Sequence, residues 1–505
     1  MKIVIVGGGT AGWLAAMYAC RFNSVVKNEI VVVIESSTIP TIGAGEGSTG
    51  KLADVINNYF TRFGINEIDF LNNTEAILKL GIRFKDWNGD GNDFYNPINP
   101  SNTYELSPDS DLLISHFKGN YHNSSPGAFL LENGYSTYDK NKKDLTAEHG
   151  YHFDATKVGQ YLKSIAIKNG VECIDTEVTS LNRNSFTGDL ESVNTTSGKI
   201  DADFWFDCSG FARVLIGTMG GGWKSYSEYL PVNGAIPYIH QFEKDEDVKL
   251  ETLSWAMPNG WMWQIPTQTR YGCGYVYSDK FTTYDKAVTE LIKTTGRKIE
   301  PLRDLKFEVG RLDKGWINNV VGIGLSSAFL EPLEATSIHS TIIQLDLLFE
   351  TGLNFINKES VVYKSNIDSY NKFVANLFDD VKDLIQLHYT SQREDTEFWK
   401  YCKYEMKRTD KVNEIIDIAK HRSPSMLDFN KYHGYMGWGV WAWTVVGLGH
   451  LTKDISKKTI QSYGNNSIGI DNRFRALQRE NLLNSNNSMK RGDFMKALLN
   501  KTLGK

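Results

Sequence analysis

The chain has 505 residues, of which 41% are apolar and 23% charged, so a disordered or fibrous protein is excluded and a large buried core is expected. Its formal net charge of −5 is small and its basic residues form no stripe, which excludes nucleic acid as an expected partner. Five cysteines without metal-ligand spacing, no signal peptide and no uninterrupted apolar run of about 20 residues predict a cytoplasmic enzyme with no bound metal and no membrane contact.

The predicted elements begin with a βαβ unit. Residues 2–6 form an apolar strand, residues 13–22 a helix and residues 30–34 a second buried strand, so an α/β protein with a parallel sheet is expected. A GxGxxG motif joins the first strand to the helix. The residues of this turn are Gly7, Gly9, Thr10, Ala11 and Gly12.

The glycine turn and the residue after the second strand together predict a dinucleotide site. The glycines permit a tight turn, a close approach of the backbone to a pyrophosphate, and close packing of the helix on the strand. The helix N-terminus then faces the negative charge. Glu35, at the end of the second strand, can accept hydrogen bonds from ribose hydroxyls. This pattern favours a nucleotide site over a glycine-rich turn that binds nothing.

The middle of the chain is predicted from its turn residues and its periodicity. Residues 85–134 are rich in Asn, Gly, Pro and Ser and are predicted as long surface connections. A helix is predicted at 156–167 with Asp154 as its cap, followed by an antiparallel meander over 170–207. From 337 to 420 the periodicity is helical.

The meander ends in Asp207-Cys208-Ser209-Gly210, which resembles the later, ribityl-side motif of FAD-dependent monooxygenases. The resemblance implies that Asp207 binds FAD, although a lone aspartate in such a turn more often acts as a cap. A second dinucleotide motif for NAD(P)H is absent from the sequence. The flavin is therefore expected to arrive reduced, as FADH2 from a separate flavin reductase.

The segment Gly-Trp-Met-Trp-Gln-Ile-Pro at 260–266 contains a WxWxIP motif. Its residues are Trp261, Trp263, Ile265 and Pro266. The motif resembles the signature of the flavin-dependent tryptophan halogenase family, in which two indoles separate the flavin from the organic substrate. The alternative is a strand whose tryptophans are simply core.

Further motifs in the same order support the family over the core alternative. Residues 41–49, with Gly45 and Glu46, resemble the family's loop across the flavin, and residues 79–84 resemble the segment with its lysine. Residues 272–278 follow the tryptophan motif as expected. The segment 322–338, which contains Gly324 and Leu325 as predicted flavin contacts, resembles the one that carries the family's glutamate and halide loop. The resemblance continues through 388–399.

The resemblance implies a fold and a reaction. The expected fold is a three-layer, flavin monooxygenase-like FAD domain over 1–350 with substrate-side insertions at about 60–150 and 225–300. A helical lobe at 351–505 covers the substrate. Reduced FAD, O2 and a halide give hypohalous acid, which halogenates an indole- or phenol-type molecule.

Four residues are assigned to this reaction by the resemblance. The backbone N–H groups of Thr336 and Ser337 would bind the halide, Lys79 would capture the hypohalous acid, and Glu334 would take the ring proton. Without the resemblance, Lys79 would be a solvated surface lysine and Glu334 a first-turn helix residue.

The family usually has Ser and Gly where this chain has Ala335 and Ser337. The missing hydroxyl removes a polar relay, and the changed loop leaves chloride, bromide and iodide open. Beyond residue 400 the segments that hold free tryptophan in related enzymes do not align, so another aromatic substrate is expected.

Several alternatives remain from the sequence. Asp86 to Gly91 resembles the start of an EF-hand, but Pro97 occupies its closing position, and His149 and His152 lie in a predicted turn, so no metal site is expected. The aromatic run 432–443 is either core or a lid. The competing functions are a flavin-dependent aromatic hydroxylase and a flavin-binding redox protein without turnover, and a homo-oligomer is left open.

Overall fold

A computed structural model of the protein describes residues 1–26, 30–39, 45–98, 110–145, 148–350, 361–429, 437–462, 464 and 467–503. The strands are β1 Lys2–Val6, β2 Ile30–Glu35, β3 Glu46–Gly47, β4 Ile77–Lys79, β5 Gly81–Lys85, β6 Asp93–Pro97, β7 Tyr135–Asp139, β8 Asp144–Leu145, β9 Gly150–Phe153, β10 Glu172–Asp175, β11 Val178–Arg183, β12 Leu190–Thr195, β13 Gly198–Asp201, β14 Phe204–Asp207, β15 Trp223–Ser225, β16 Gly234–Gln241, β17 Glu251–Met257, β18 Gly260–Pro266, β19 Arg270–Tyr277, β20 Leu305–Lys306, β21 Gly310–Leu312, β22 Trp316–Ile317, β23 Val320–Gly322, β24 Ala328–Phe329 and β25 Ser488–Lys490. The helices are α1 Thr10–Val26, α2 Gly50–Asp54, α3 Glu67–Thr74, α4 Ser110–Lys118, α5 Pro126–Glu132, α6 Ala155–Lys168, α7 Tyr284–Thr295, α8 Thr336–Phe349, α9 Val361–His388, α10 Glu397–Tyr404, α11 Asp410–Ala419, α12 Trp438–Gly447, α13 Lys453–Ser462, α14 Ser467–Asn487 and α15 Arg491–Leu499.

The first layer is a six-stranded sheet in the order β10-β2-β1-β14-β23-β22, parallel except for the last strand. Alternate residues of β1 face two different cores. Ile3 and Ile5 pack on the side of α1, whereas Val4 and Val6 pack on the side of the β11-β12-β13 meander. From Ile3 to Val6 the strand is apolar because both of its faces are covered. The predicted βαβ unit and the parallel sheet are confirmed.

The meander is smaller than predicted. Only β11, β12 and β13 form it, because β10 and β14 at its two ends join the parallel sheet instead. The prediction of one antiparallel unit over 170–207 is therefore wrong at both ends. Alternation of apolar and polar residues indicates a strand but does not indicate its partner.

A second, seven-stranded sheet in the order β20-β16-β19-β18-β17-β5-β6 brings together distant parts of the chain. Its β17–β5 pair is parallel, whereas the other pairs are antiparallel. The prediction that 85–134 is all surface connection is wrong, because β6, α4 and α5 lie within it. Phe94 of β6 stacks on Phe84 of β5 with ring centroids 4.6 Å apart, a cross-strand contact that turn composition does not reveal.

Helices complete the fold. The predicted helix at 156–167 is α6, and Asp154 caps it by accepting from the backbone N–H groups of Thr156 and Lys157. The helical prediction for 337–420 is confirmed by α8 to α11 over the residues that the structure describes. Near the C-terminus, β25 pairs with β7, so the end of the chain returns to its first third. Among the helices in the described ranges, none combines the length and apolarity needed to cross a bilayer.

Candidate active site

The glycine turn leaves one side of the α1 N-terminus open. Gly7 has φ +121°, and a Cβ there would lie 2.2 Å from the carbonyl oxygen of Cys208. A Cβ at Gly12 would lie 1.9 Å from the carbonyl oxygen of Gly7. A Cβ at Gly9, in contrast, would meet no atom of the described residues within 4 Å. The backbone at Gly9 therefore has the free approach that a pyrophosphate requires.

Glu35 lies beside this turn at the end of β2. A Cβ on Gly8 would lie 2.3 Å from Glu35 Oε2, so the carboxylate borders the turn as predicted for a ribose acceptor. Lys163 of α6 donates to Glu35 Oε1. Sequence reasoning missed Lys163 because a lysine on an amphipathic helix gives no signal of what it faces.

Asp207 organises the loops after β14. Its Oδ1 accepts from Ser209 N at 3.0 Å, Ser209 Oγ at 2.6 Å and Ser326 Oγ at 3.1 Å. Its Oδ2 accepts from the backbone N–H groups of Leu215 and Ile216, both at 2.8 Å. The carboxylate is 0% exposed and acts as the turn and cap residue that the sequence also allowed. A contact of Asp207 with flavin stays a prediction.

Replacing Asp207 with Ala is expected to lower the free energy of unfolding by about 3 kcal/mol, because each buried donor left unpaired costs about 1–3 kcal/mol. Denaturant unfolding of the flavin-free protein measures this. The control is Asp201→Ala, since the Asp201 side chain is 79% exposed and its ion pair with Lys2 is long at 3.9 Å. Equal stability of the two variants would show that the hydrogen bonds of Asp207 contribute nothing measurable.

The two tryptophans of the WxWxIP motif share one face of β18. Their ring centroids lie 6.4 Å apart at an interplanar angle of 60°. Trp263 crosses Gly274 of β19, where a Cβ would lie 2.0 Å from the ring. Glu331 fixes the other ring, because Trp261 Nε1 donates to Glu331 Oε2 at 2.6 Å. Tyr389 OH donates to the same oxygen at 2.5 Å.

Glu331 is a buried carboxyl group beside the tryptophan motif, which the sequence indicated only as part of a longer segment. It is 0% exposed, and burial raises the pKa of its carboxyl to about 7, although the hydrogen bonds from Tyr389 and Trp261 oppose this. The indole of Trp261 is thus held by a polar contact as well as by packing. Ile265 and Pro266, which complete the motif, are also buried in the strand.

The described part of the predicted loop across the flavin, residues 45–49, lies between the tryptophan strand and Lys79. Residues 41–44 of this loop lie outside the described residues. A Cβ on Gly45 would lie 3.2 Å from Gly272 Cα and 3.6 Å from Ile265 Cγ2. Glu46 is half-buried, and desolvation together with the charge of Asp154 raises the pKa of its carboxyl to about 7.

Lys79, the last residue of β4, is completely buried. Its side chain is 0% exposed, and its Nζ has no hydrogen-bond partner in the described part of the chain. A Cβ on Gly47 would lie 3.3 Å from this Nζ. Burial lowers the pKa of Lys79 to about 8, while the charge of Glu334 opposes the shift. The interpretation of Lys79 as a solvated surface lysine is wrong.

Glu334 ends a short turn before α8 and is 6% exposed. Its Oε1 accepts from Asn96 Nδ2 at 3.0 Å and lies 2.8 Å from His388 Nε2, a contact at ion-pair distance that is not aligned as a hydrogen bond. His388 Nδ1 lies 2.9 Å from the carbonyl oxygen of Leu384, so this nitrogen carries a proton. Ala335 supplies no relay hydroxyl, but His388 adjoins the carboxylate.

The predicted halide and flavin residues meet at a small cavity. Its volume is about 20 Å³, and its walls are Gly324, Leu325, Ala328, Leu330, Thr336, Ser337, Ser340 and Phe378. Thr336 and Ser337 begin α8, whose N-terminus has no side-chain cap. Ala335, at the cap position, has φ +53°, a left-handed conformation that favours glycine. Uncapped N–H groups beside apolar walls are suited to a weakly hydrated anion.

The remaining sequence candidates have other partners. His149 Nε2 lies 2.5 Å from Glu67 Oε1, and His152 Nε2 lies 2.8 Å from Thr252 Oγ1. Within the described ranges, no three His, Cys, Asp or Glu side chains are grouped to hold a metal ion. Residues 432–436 of the aromatic run lie outside the described residues. Its described part belongs to α12, where Trp441 and Trp443 are buried in the core.

Comparison with known proteins gives concordant matches over most of the chain. The sequence profile described as tryptophan halogenase matches residues 2–461, beyond the motifs that end near residue 400. Tryptophan 7-halogenase RebH of Lentzea aerocolonigenes is 32% identical over 467 residues, which cover 86% of this chain and 85% of RebH. Tryptophan 6-halogenase ThaL of Streptomyces albogriseolus is 31% identical over 465 residues, with coverage of 86% and 85%. The solved structure of BrvH, a flavin-dependent halogenase from Brevundimonas sp. BAL3, is 26% identical, with a TM-score of 0.85 and coverage of 98% of this chain and 99% of BrvH.

Proposed function

The chain belongs to the tryptophan halogenase family of flavin-dependent halogenases, and from this premise we propose that it uses reduced FAD, O2 and a halide to halogenate an indole- or phenol-type small molecule. The observation that carries this proposal is Lys79. Its amine is completely buried without a hydrogen-bond partner in the described residues, and the charge of Glu334 acts on it. A protein that only stored flavin would have no use for such a lysine.

The residues around the glycine turn would hold FAD. Gly9 and the N-terminus of α1 offer free backbone to the pyrophosphate, and Glu35 would accept from the ribose. The reduced flavin, when bound, would activate O2, which is the oxidant that turns a halide into hypohalous acid. Because the sequence has no second dinucleotide motif, a separate flavin reductase would supply reduced FAD.

The uncapped N-terminus of α8 would hold the halide. The backbone N–H groups of Thr336 and Ser337 would donate to it, and Leu325, Leu330 and Phe378 would exclude water from the cavity. A dry site discriminates against the most strongly hydrated halides. Ser337 stands where the family usually has glycine, so bromide and iodide are tested together with chloride.

Lys79 would act before the aromatic ring is halogenated, and Glu334 would act afterwards. Lys79 would receive the hypohalous acid, either through a hydrogen bond or as a haloamine with loss of water. The new carbon–halogen bond forms as the oxygen–halogen or nitrogen–halogen bond breaks, and Glu334 takes the ring proton. Trp261, held by Glu331, would keep the organic substrate away from the flavin.

A product assay tests the proposed function. The protein is combined with FAD, a flavin reductase, NADH and each of the three halides, and offered panels of indoles, phenols and free tryptophan. We expect a halogenated indole or phenol as the main product, and free tryptophan to be a poorer substrate. Hydroxylated products would instead indicate a monooxygenase, and no product with any halide despite bound flavin would indicate a redox protein without turnover. Free tryptophan as the best substrate would contradict the proposed substrate class.

A further inference from the structure

A buried amide lies next to the candidate base. Asn96 is on β6, is 2% exposed, and pairs with Ile82 of β5. Its side chain reaches Glu334 on one side and Thr444 of α12 on the other. Asn96 was not singled out by the sequence, because an asparagine in a stretch rich in turn residues gives no indication of burial.

Two acceptors fix the orientation of this amide. Thr444 Oγ1 donates its proton to the carbonyl oxygen of Val440 at 2.8 Å, so it can only accept from Asn96, at 3.0 Å. Glu334 Oε1 accepts from the same amide nitrogen at 3.0 Å. Both N–H groups of the Asn96 amide are thereby used. A flipped amide would direct its oxygen at the carboxylate and at a hydroxyl with no proton left to give.

The orientation leaves Asn96 Oδ1 as a buried acceptor with no partner among the residues that the structure describes. A buried carbonyl without a donor costs free energy, since the unfolded chain offers it water. Buried polar groups in native proteins nearly always have a partner, so an orphaned one needs an explanation, such as a role at a functional site. The donor that this oxygen needs is an N–H or an O–H.

Asn96 Oδ1 lies close to Glu334, the residue proposed to take the ring proton. Oδ1 and Nδ2 belong to one rigid amide, and Nδ2 contacts Glu334 Oε1. In the described part of the chain, the hydrogen bond from Asn96 and the ion-pair contact with His388 are both made through Glu334 Oε1, so Oε2 would take a ring proton. A molecule that donates to Oδ1 would therefore also lie next to the candidate base.

We propose that Asn96 Oδ1 accepts a hydrogen bond from a ring N–H or a phenolic O–H of the substrate. Asn96 is then a specificity-determining residue that selects donor-bearing aromatic rings over rings of the same shape without a donor. This inference rests on the proposed function for its location next to the reacting ring. The binding preference itself requires no turnover.

Binding of two matched probes tests the inference in the unaltered protein. Indole carries a ring N–H, and benzofuran has nearly the same shape with an oxygen in its place. Dissociation constants for both are measured with the FAD-loaded protein by ligand-observed NMR. We expect indole to bind at least about tenfold more tightly, because benzofuran leaves Oδ1 unpaired. Equal affinities, or no binding of either probe, would overturn the assignment.

The variant Asn96→Ala attributes the preference to this residue. Its loss also disturbs Glu334, so only the ratio of the two dissociation constants is compared, which cancels a general effect on the pocket. We expect the ratio to fall to about one, whereas Ser180→Ala, on the exposed meander strand β11, keeps it. A ratio that stays unchanged in Asn96→Ala would overturn the role of Asn96. If the preference holds but no halide gives product, the proposed function fails and the inference about Asn96 stands.

Discussion

Replacing Lys79 with Met is expected to abolish halogenation while reduced flavin is still oxidised by O2. Methionine fills the space of the lysine stem without an amine, so the buried site stays packed and only the capture of hypohalous acid is lost. The nucleotide turn is remote in sequence and keeps its own contacts, so flavin affinity is expected to be unchanged. Halogenated product and flavin reoxidation are measured in the same reaction, and released hypohalous acid is measured with an added trap.

The control for Lys79→Met is Lys400→Met, because Lys400 is an exposed lysine on α10 that pairs only with Glu397 in the described residues. We expect full product in the control and trapped oxidant in Lys79→Met. Burial lowers the pKa of Lys79 to about 8, so the neutral amine becomes more abundant as the pH rises through that value. Capture as a haloamine then rises with pH, whereas capture by the charged ammonium falls. Undiminished product from Lys79→Met would refute the capture role.

Local sequence features predicted the parts of the fold that depend on neighbouring residues. The cap Asp154, the strand β1 and the glycine turn each follow from a pattern within a few residues. Residues 85–134 were predicted wrongly because their structure depends on contacts with residues that are not their sequence neighbours. The strand β6 pairs with the neighbouring strand β5 and contacts α12, and the contact with α12 joins segments that are far apart in the chain.

In the candidate site, too, some residues could be assigned from the sequence and others could be recognised only from their contacts in the structure. The resemblance assigned Lys79 and Glu334, but only the structure buries Lys79 and places His388 against Glu334. Asn96 and Glu331 were missed as individual residues, because a buried polar side chain is recognised by its partners rather than by its neighbours in sequence. The partner of Asn96 is Glu334 and the partner of Glu331 is Trp261, and both pairs join residues that lie on separate elements.

Glu331 and Glu334 lie on the same short turn, and each contacts one of two consecutive residues, Tyr389 and His388. Trp261 and Tyr389 both donate to Glu331, while His388, the residue before Tyr389, lies against Glu334. One short turn thus links the tryptophan strand, the end of α9 and the candidate base. Movement of this turn would shift Glu331 and Glu334 together, and with them the contacts to Trp261 and His388.

Replacing Glu334 with Gln is expected to slow halogenation by roughly 10²–10⁴-fold, the range that a positioned general base contributes. Glutamine keeps the length of the side chain, and its carbonyl oxygen can still accept from Asn96, but it cannot take a ring proton. The rate of product formation is measured with the best substrate of the panel. Glu397→Gln is the control, because its side chain is 78% exposed and lies on α10, away from the cluster.

A ring-deuterated substrate separates loss of the base from general damage at the Glu334 site. In the unaltered protein, rapid transfer of the ring proton to Glu334 makes the step of carbon–halogen bond formation limiting, so deuterium has little effect on the rate. In Glu334→Gln, removal of the ring proton becomes slow, and a primary isotope effect is expected. A slower variant without an isotope effect would show that Glu334 positions other groups, such as Asn96 or His388, rather than accepting the proton.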